Sequence, residues 1–182
     1  MNAQLAWTRR IAAAVTLVRL GSLLLGVGCS PVGLRVNTTP SIPVGLYRVS
    51  RAPVAKGAYV MFCPPQTRTF ALARRRGYVG AGPCPGGYGY LMKKVSAAKA
   101  DVVSFAADGV RVNGALLAFS APLRVDQGGR ALPRYRAPQR GLKSSEVLLM
   151  SDVSRTSFDA RYFGPLSVAQ IETVIVPVWT WS

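Results

Sequence analysis

Ser41 stands in the run Asn37-Thr38-Thr39-Pro40-Ser41-Ile42-Pro43-Val44-Gly45, with a proline just before it and another two residues after. Two fixed φ angles therefore bracket one hydroxyl. Such stiffening suits a nucleophile that must not wander, and Gly45 lets the chain re-enter a strand beyond it. An ordinary Pro-Ser-x-Pro loop would look the same. A serine also needs a base, and the chain has no histidine. That absence excludes a Ser-His-Asp triad, a Cys-His pair and the usual His-containing zinc site. The remaining candidates for a base are a lysine or a lone carboxylate.

The lysine is offered by Gly89-Tyr90-Leu91-Met92-Lys93-Lys94-Val95-Ser96, which alternates as a strand. Lys93 shares its face with Leu91 and Val95, whereas Lys94 shares the other with Met92 and Ser96. The pattern therefore predicts Lys93 as the buried amine. Burial disfavours an ammonium, so such a lysine can be neutral near pH 7 and accept a serine proton. Two solvated strand lysines are the plainer alternative. A third stretch, residues 150–165, is dense in hydroxyls and carries Asp152 and Asp159. In it Asp159 can pair with Arg161 or with the second lysine, and Ser157 can hydrogen-bond the amine of the first.

These three stretches must be positioned by the rest of a 182-residue chain with 23 Lys+Arg, 7 Asp+Glu and a formal charge of +16. Seven carboxylates and three cysteines argue against a metal centre, and no cofactor is called for. Arg9 and Arg10 precede an apolar run over 11–28, interrupted by Thr16, Arg19 and Ser22. Eighteen helical residues span about 27 Å, close to a bilayer core. We assign residues 1–29 to a single-pass anchor with the N-terminus cytoplasmic, a cleaved signal sequence being the alternative. Residues 30–182 then form one exported domain with loop insertions near 64–87 and 120–145. Export makes a disulfide between Cys63 and Cys84 reasonable, with two buried free thiols as the other reading.

Short strands are expected at 58–63, 89–96, 102–106, 109–112, 115–119, 146–150 and 171–178. Asp108-Gly109 and Asn113-Gly114 are hairpin turns, and a short helix falls within 67–76. The exported part is therefore mostly β. Residues 124–143 carry six cations against Asp126 alone and read as a surface loop.

In order and spacing, the anchor, Ser41, the Lys93-Lys94 strand and the terminal Ser157-x-Asp159-x-Arg161-Tyr162-x-Gly164 segment resemble bacterial signal peptidase I. The resemblance is strongest to the conjugative-transfer, TraF-like branch, which shares the Asn-Thr-Thr-x-Ser-Ile-Pro-x-Gly-Leu-Tyr box and the Phe-Cys-Pro-Pro and Gly-Pro-Cys-Pro-Gly contexts. It implies a coiled antiparallel β fold, Ser41 as nucleophile and Lys93 as general base. It also implies an oxyanion hole from Thr39 and the Ser41 N–H, a hydrogen bond from Ser157 to the lysine, and a supporting Asp159–Arg161 pair. The activity implied is a Ser/Lys endopeptidase in the bacterial inner membrane, its catalytic domain in the periplasm.

The partners implied are an exported precursor, a conjugative pilin being the natural case, together with membrane lipid and components of a mating-pair or type IV secretion apparatus. Departures from general signal peptidases include Lys93-Lys94 where those enzymes have Lys-Arg, and Ser151-Asp152-Val153 where they have Gly-Asp-Asn. They favour a specialised substrate over housekeeping processing, with hydrolysis and cyclisation both open. The competing class is a non-enzymatic, anchored component of a DNA-transfer apparatus, its basic residues meeting nucleic acid or anionic lipid. Beyond Tyr135 the basic tract has no aromatic platform, which disfavours nucleic acid.

Overall fold

The computed structural model describes residues 33–181, together with Trp7 and Thr16. The anchor expected over 1–29 thus lies, but for those two positions, outside the described residues. Among the described residues no helix is long and apolar enough to cross a membrane. The chain divides into two units, residues 1–35 and 36–182. Apart from the first two residues of β1, the sheets, helices and groove belong to the second.

Alternation of apolar and polar residues between turns yields two antiparallel sheets. The larger has seven strands in the order β1 (Leu34–Asn37), β2 (Gly45–Ser50), β12 (Ile171–Thr180), β3 (Tyr59–Phe62), β5 (Leu91–Ala97), β10 (Glu146–Met150) and β11 (Leu166–Ser167). The smaller is β8 (Ala115–Leu116), β7 (Val110–Val112), β6 (Val102–Phe105) and β9 (Arg140–Gly141). The longest strand, β12, pairs with β2 and β3 on its two edges and joins the serine-bearing end of the sheet to the lysine-bearing middle. Its partner β2 starts at Gly45, where a Cβ would collide with the Trp179 carbonyl oxygen.

A continuous apolar run, Val-Leu-Leu-Met, makes β10 a strand buried on both faces. Val147 and Leu149 enter one core cluster with Phe62, Phe70 and Phe158, and Leu148 and Met150 enter another with Val103, Val110 and Val112. The Asn113-Gly114 turn joins β7 to β8 with φ of 52° and 82°, the doubly left-handed turn that this dipeptide favours. The strand expected over 115–119 ends at Leu116. Phe119 takes φ of 54° and gives its carbonyl to Arg161 Nη1 at 2.7 Å, which draws the chain away from β7.

The 64–87 excursion is more ordered than its composition predicts. It carries α1 (Arg68–Arg75), capped by Thr67 Oγ1 and anchored by Phe70 and Ala73, and then β4 (Ala81–Cys84). Cys63 and Cys84 are joined in a disulfide that closes the excursion at its base. Residues 124–139 form the surface loop expected, but the stretch ends in the sheet, where Arg140–Gly141 pair with β6 as β9 and Leu142 is buried in the core. The loop folds back on itself at the Val125–Ala131 bridge, and Tyr135 lies where Gly164, with φ of 75°, leaves room for its ring.

Candidate active site

The serine loop is built by a residue the sequence reading passed over. Asn37 is buried, and its Nδ2 donates to the carbonyls of Thr39 (2.8 Å), Ile42 (3.0 Å) and Pro43 (3.1 Å). Its Oδ1 accepts from Thr39 N (3.2 Å) and Thr39 Oγ1 (3.0 Å). One amide thus pins both ends of the loop around Ser41. The signal was present, since asparagine two residues ahead of a Thr-Pro turn is a known way of closing one. Fully buried Ile42 and the Tyr47 hydroxyl, 2.6 Å from the Pro43 carbonyl, hold the far side.

Pro40 fits the tight turn in which Ser41 N–H donates to the Thr39 carbonyl at 2.8 Å. Both groups assigned to an oxyanion hole are therefore engaged inside the loop, Ser41 N–H with that carbonyl and Thr39 Oγ1 with Asn37.

Lys93 lies on β5 opposite Val60 of β3, and it is 1% exposed. Lys94, opposite Met150 of β10, points the other way, pairs with Asp152 at 2.7 Å and lies over the Tyr59 ring. Desolvation pulls the Lys93 pKa down from 10.5 to about 8; Asp159 opposes this and Arg161 adds to it. The amine is still mostly protonated at pH 7, but its neutral fraction there is far larger than that of a lysine in water.

Asp159 and Arg161 are buried beneath this point and bind each other, not Lys94, through Nε–Oδ1 (2.7 Å) and Nη2–Oδ2 (2.8 Å). Asp159 also accepts from Ser151 N and Arg161 N, so it caps α2 (Ala160–Phe163) and ties it to the end of β10. Arg161 turns Nη1 to the carbonyls of Phe119 and Arg155 and its other Nη2 hydrogen to that of Ser157, with the Ser154 carbonyl sharing Nη2 at 3.3 Å. One guanidinium thus gathers two loops around the lysine.

The resemblance implies a hydrogen bond from Ser157 to Lys93, and this structure does not make it: the buried Ser157 Oγ has no partner among the described residues. Arg161 holds the Ser157 carbonyl at 2.8 Å, which fixes the backbone without directing the hydroxyl.

One groove of about 440 Å³ brings Thr39, Ser41, Lys93 and Ser157 together. Tyr78 and Gly80, from the disulfide-closed excursion, and Tyr90 and Met92, from the approach to β5 and the strand itself, complete its walls. Asp159 and Arg161 do not line it. In chemical terms the groove presents a hydroxyl on a rigid loop, a buried amine of lowered basicity and an unpaired second hydroxyl.

Comparison with known proteins follows the same line. A family model described as signal peptidase, peptidase S26, matches residues 5–181. The plasmid transfer protein TraF of Escherichia coli is 62% identical over 95% of this chain and 97% of its own. The conjugal transfer protein TraF of Agrobacterium fabrum is 36% identical over 82% and 84%. A solved signal peptidase I from Enterococcus faecalis overlays at 16% identity with a TM-score of 0.40, covering 70% of this chain and all of that one, too loosely to carry an argument. The chain belongs to the signal peptidase, peptidase S26, family, among the TraF proteins of plasmid and conjugal transfer.

Proposed function

We propose that the protein is a membrane-anchored Ser/Lys endopeptidase of the bacterial inner membrane that processes an exported precursor, a conjugative pilin, at the periplasmic face. The observation that carries this reading is one groove holding Ser41 on a pinned loop and a buried Lys93 whose pKa falls to about 8. The relatives are named for plasmid and conjugal transfer, which supports a precursor belonging to a transfer apparatus, and a pilin is the exported precursor we assign to it.

In the proposed reaction, neutral Lys93 takes the proton of Ser41 Oγ as the oxygen attacks the scissile carbonyl. The developing oxyanion displaces the Thr39 carbonyl from Ser41 N–H. That turn bond spans two residues with poor geometry, so a charged acceptor competes well. Thr39 Oγ1 turns from Asn37 Oδ1 to the same oxyanion. The lysine ammonium then protonates the departing amine. Water, or an amine of the substrate itself, resolves the acyl-enzyme to give a cleaved or a cyclised product. In the resting groove Ser157 Oγ is free to take up the lysine when the ammonium forms.

The test is intact-mass analysis of a candidate pilin precursor co-expressed with the wild-type chain or with Ser41→Ala. Processing by the wild type alone supports the reading, and a product lighter by one further water marks cyclisation. Equal processing by both overturns it.

A further inference from the structure

We infer that a second cavity, sharing a wall with the groove, binds a carboxylate carried by the peptide substrate, with Arg76 as its cation. This rests on the endopeptidase reading and extends it to a part of the substrate away from the scissile bond. The cavity holds about 390 Å³, room for one or two side chains. Tyr78, Thr156 and Phe158 line both spaces, so a chain lying in the groove has only this wall to round.

Its charge decides what it takes. Asp126 is saturated: Oδ1 accepts from Gly128 N (2.9 Å) and Arg130 N (2.8 Å), and Oδ2 from Arg130 Nε (2.7 Å) and the Tyr78 hydroxyl. That carboxylate cancels Arg130 and has nothing left for a ligand. Arg76 instead gives one Nη1 bond to the Ala131 carbonyl at 2.6 Å and pairs with no carboxylate among the described residues. A guanidinium has five N–H donors in a fork that matches a carboxylate, so most remain for one.

The floor sharpens the preference. Phe158 stacks on Tyr162 at 5.6 Å with planes 4° apart, and Tyr78 lies 5.6 Å from Phe158. An ion pair over this aromatic surface is less screened than one in open water. The walls come from the chain just after α1, residues 123–132 and the segment 156–162, so both insertions have a use in substrate selection.

The probes are labelled peptides spanning the cut of the candidate pilin precursor, with glutamate or glutamine scanned along either side. Each is made with a free and an amidated C-terminus, which separates a side-chain from a terminal carboxylate. Binding is measured by fluorescence anisotropy on the full chain in detergent, carrying Ser41→Ala so that peptides stay intact. We expect a carboxylate at one position to bind roughly tenfold or more tighter than its amide. In Arg76→Gln, which keeps a donor for Ala131, that preference falls below about twofold, and in Arg76→Lys it is partly kept.

A preference that survives Arg76→Gln, or no preference at any position in a chain with an unchanged circular dichroism spectrum, overturns the subsite. Cutting by Ser41→Ala would instead overturn the dyad, and the two failures are read separately.

Discussion

Lys93 is the residue whose two roles pull in opposite directions. Unfolded, its amine holds a proton up to about pH 10.5; folded, only up to about 8. The unfolded state therefore binds more protons between those values, and stability rises with pH across that window. Below pH 8 the folded chain bears the whole cost of burying an ammonium. Lys93→Met is accordingly expected to abolish processing while stabilising the fold at pH 7 by on the order of 3 kcal/mol, a gain that shrinks toward pH 10.5. Chemical denaturation at pH 7 and 10 measures it, and equal stabilisation at both would show that the lysine is not neutral in the fold. The same amine predicts that log(kcat/KM) rises with pH and levels off above about 8. Asn37 acts at one remove. In Asn37→Asp a carboxylate would face the carbonyls of Thr39, Ile42 and Pro43. A loss of roughly 10- to 100-fold in kcat/KM is expected, from losing the serine's placement. Lys93 was legible because strand alternation is a strong signal. Asn37 was passed over because its signal is local turn chemistry, an asparagine ahead of Thr-Pro, which no periodicity reports.

Among the elements, the loops are fixed less by propensity than by one buried ion pair and a cross-link. The Asp159–Arg161 pair is wholly buried and ties α2, the end of β10 and the 119–121 and 154–157 segments into one unit. Removing one partner leaves the other charged and unpaired, so Arg161→Met or Asp159→Asn should cost about 3–5 kcal/mol. A thermal melt within a degree or two of wild type would show the pair to be dispensable. The disulfide closes a separation of 21 residues. Reducing it, or replacing both cysteines with serine, should cost about 3 kcal/mol and raise KM more than it lowers kcat, because Tyr78 and Gly80 on the closed loop form a groove wall. Strands β3, β5, β6, β7, β10 and β12 and the two hairpin turns were readable from alternation and Asx-Gly dipeptides, whereas β1, β2, β9 and β11, at or next to the sheet edges, were not among the strands expected. The short α2, the β4 segment and the early end of β8 were not readable either. Each depends on tertiary contacts, namely the Asp159 cap, the Cys63–Cys84 bond and the pull of Arg161 on Phe119.

At the scale of the molecule, a formal charge of +16 meets a structure in which six of the seven carboxylates already sit in ion pairs. The acids act as clamps, which leaves most of the basic residues among the described residues without a carboxylate partner and available to an anionic surface. An apolar feature stands beside the serine loop. Val178, Trp179 and Trp181 are exposed at the end of β12, where Trp179 pairs with Leu46 and Trp181 N–H donates to the Val44 carbonyl. The two indoles lie edge to face at 5.7 Å. Indoles favour the headgroup region of a bilayer, and here they stand against the strand that leaves the serine loop, whose nucleophile is proposed to act at that surface. In vesicles with brominated acyl chains, the full chain should lose tryptophan emission to quenching. Part of that loss should vanish in Trp179→Phe with Trp181→Phe, Trp7 supplying the remainder. High salt should not restore the emission, because the contact is apolar and not screened. Equal quenchable fractions in both proteins would place the indoles in water, and the surface charge alone would then have to hold the site near lipid.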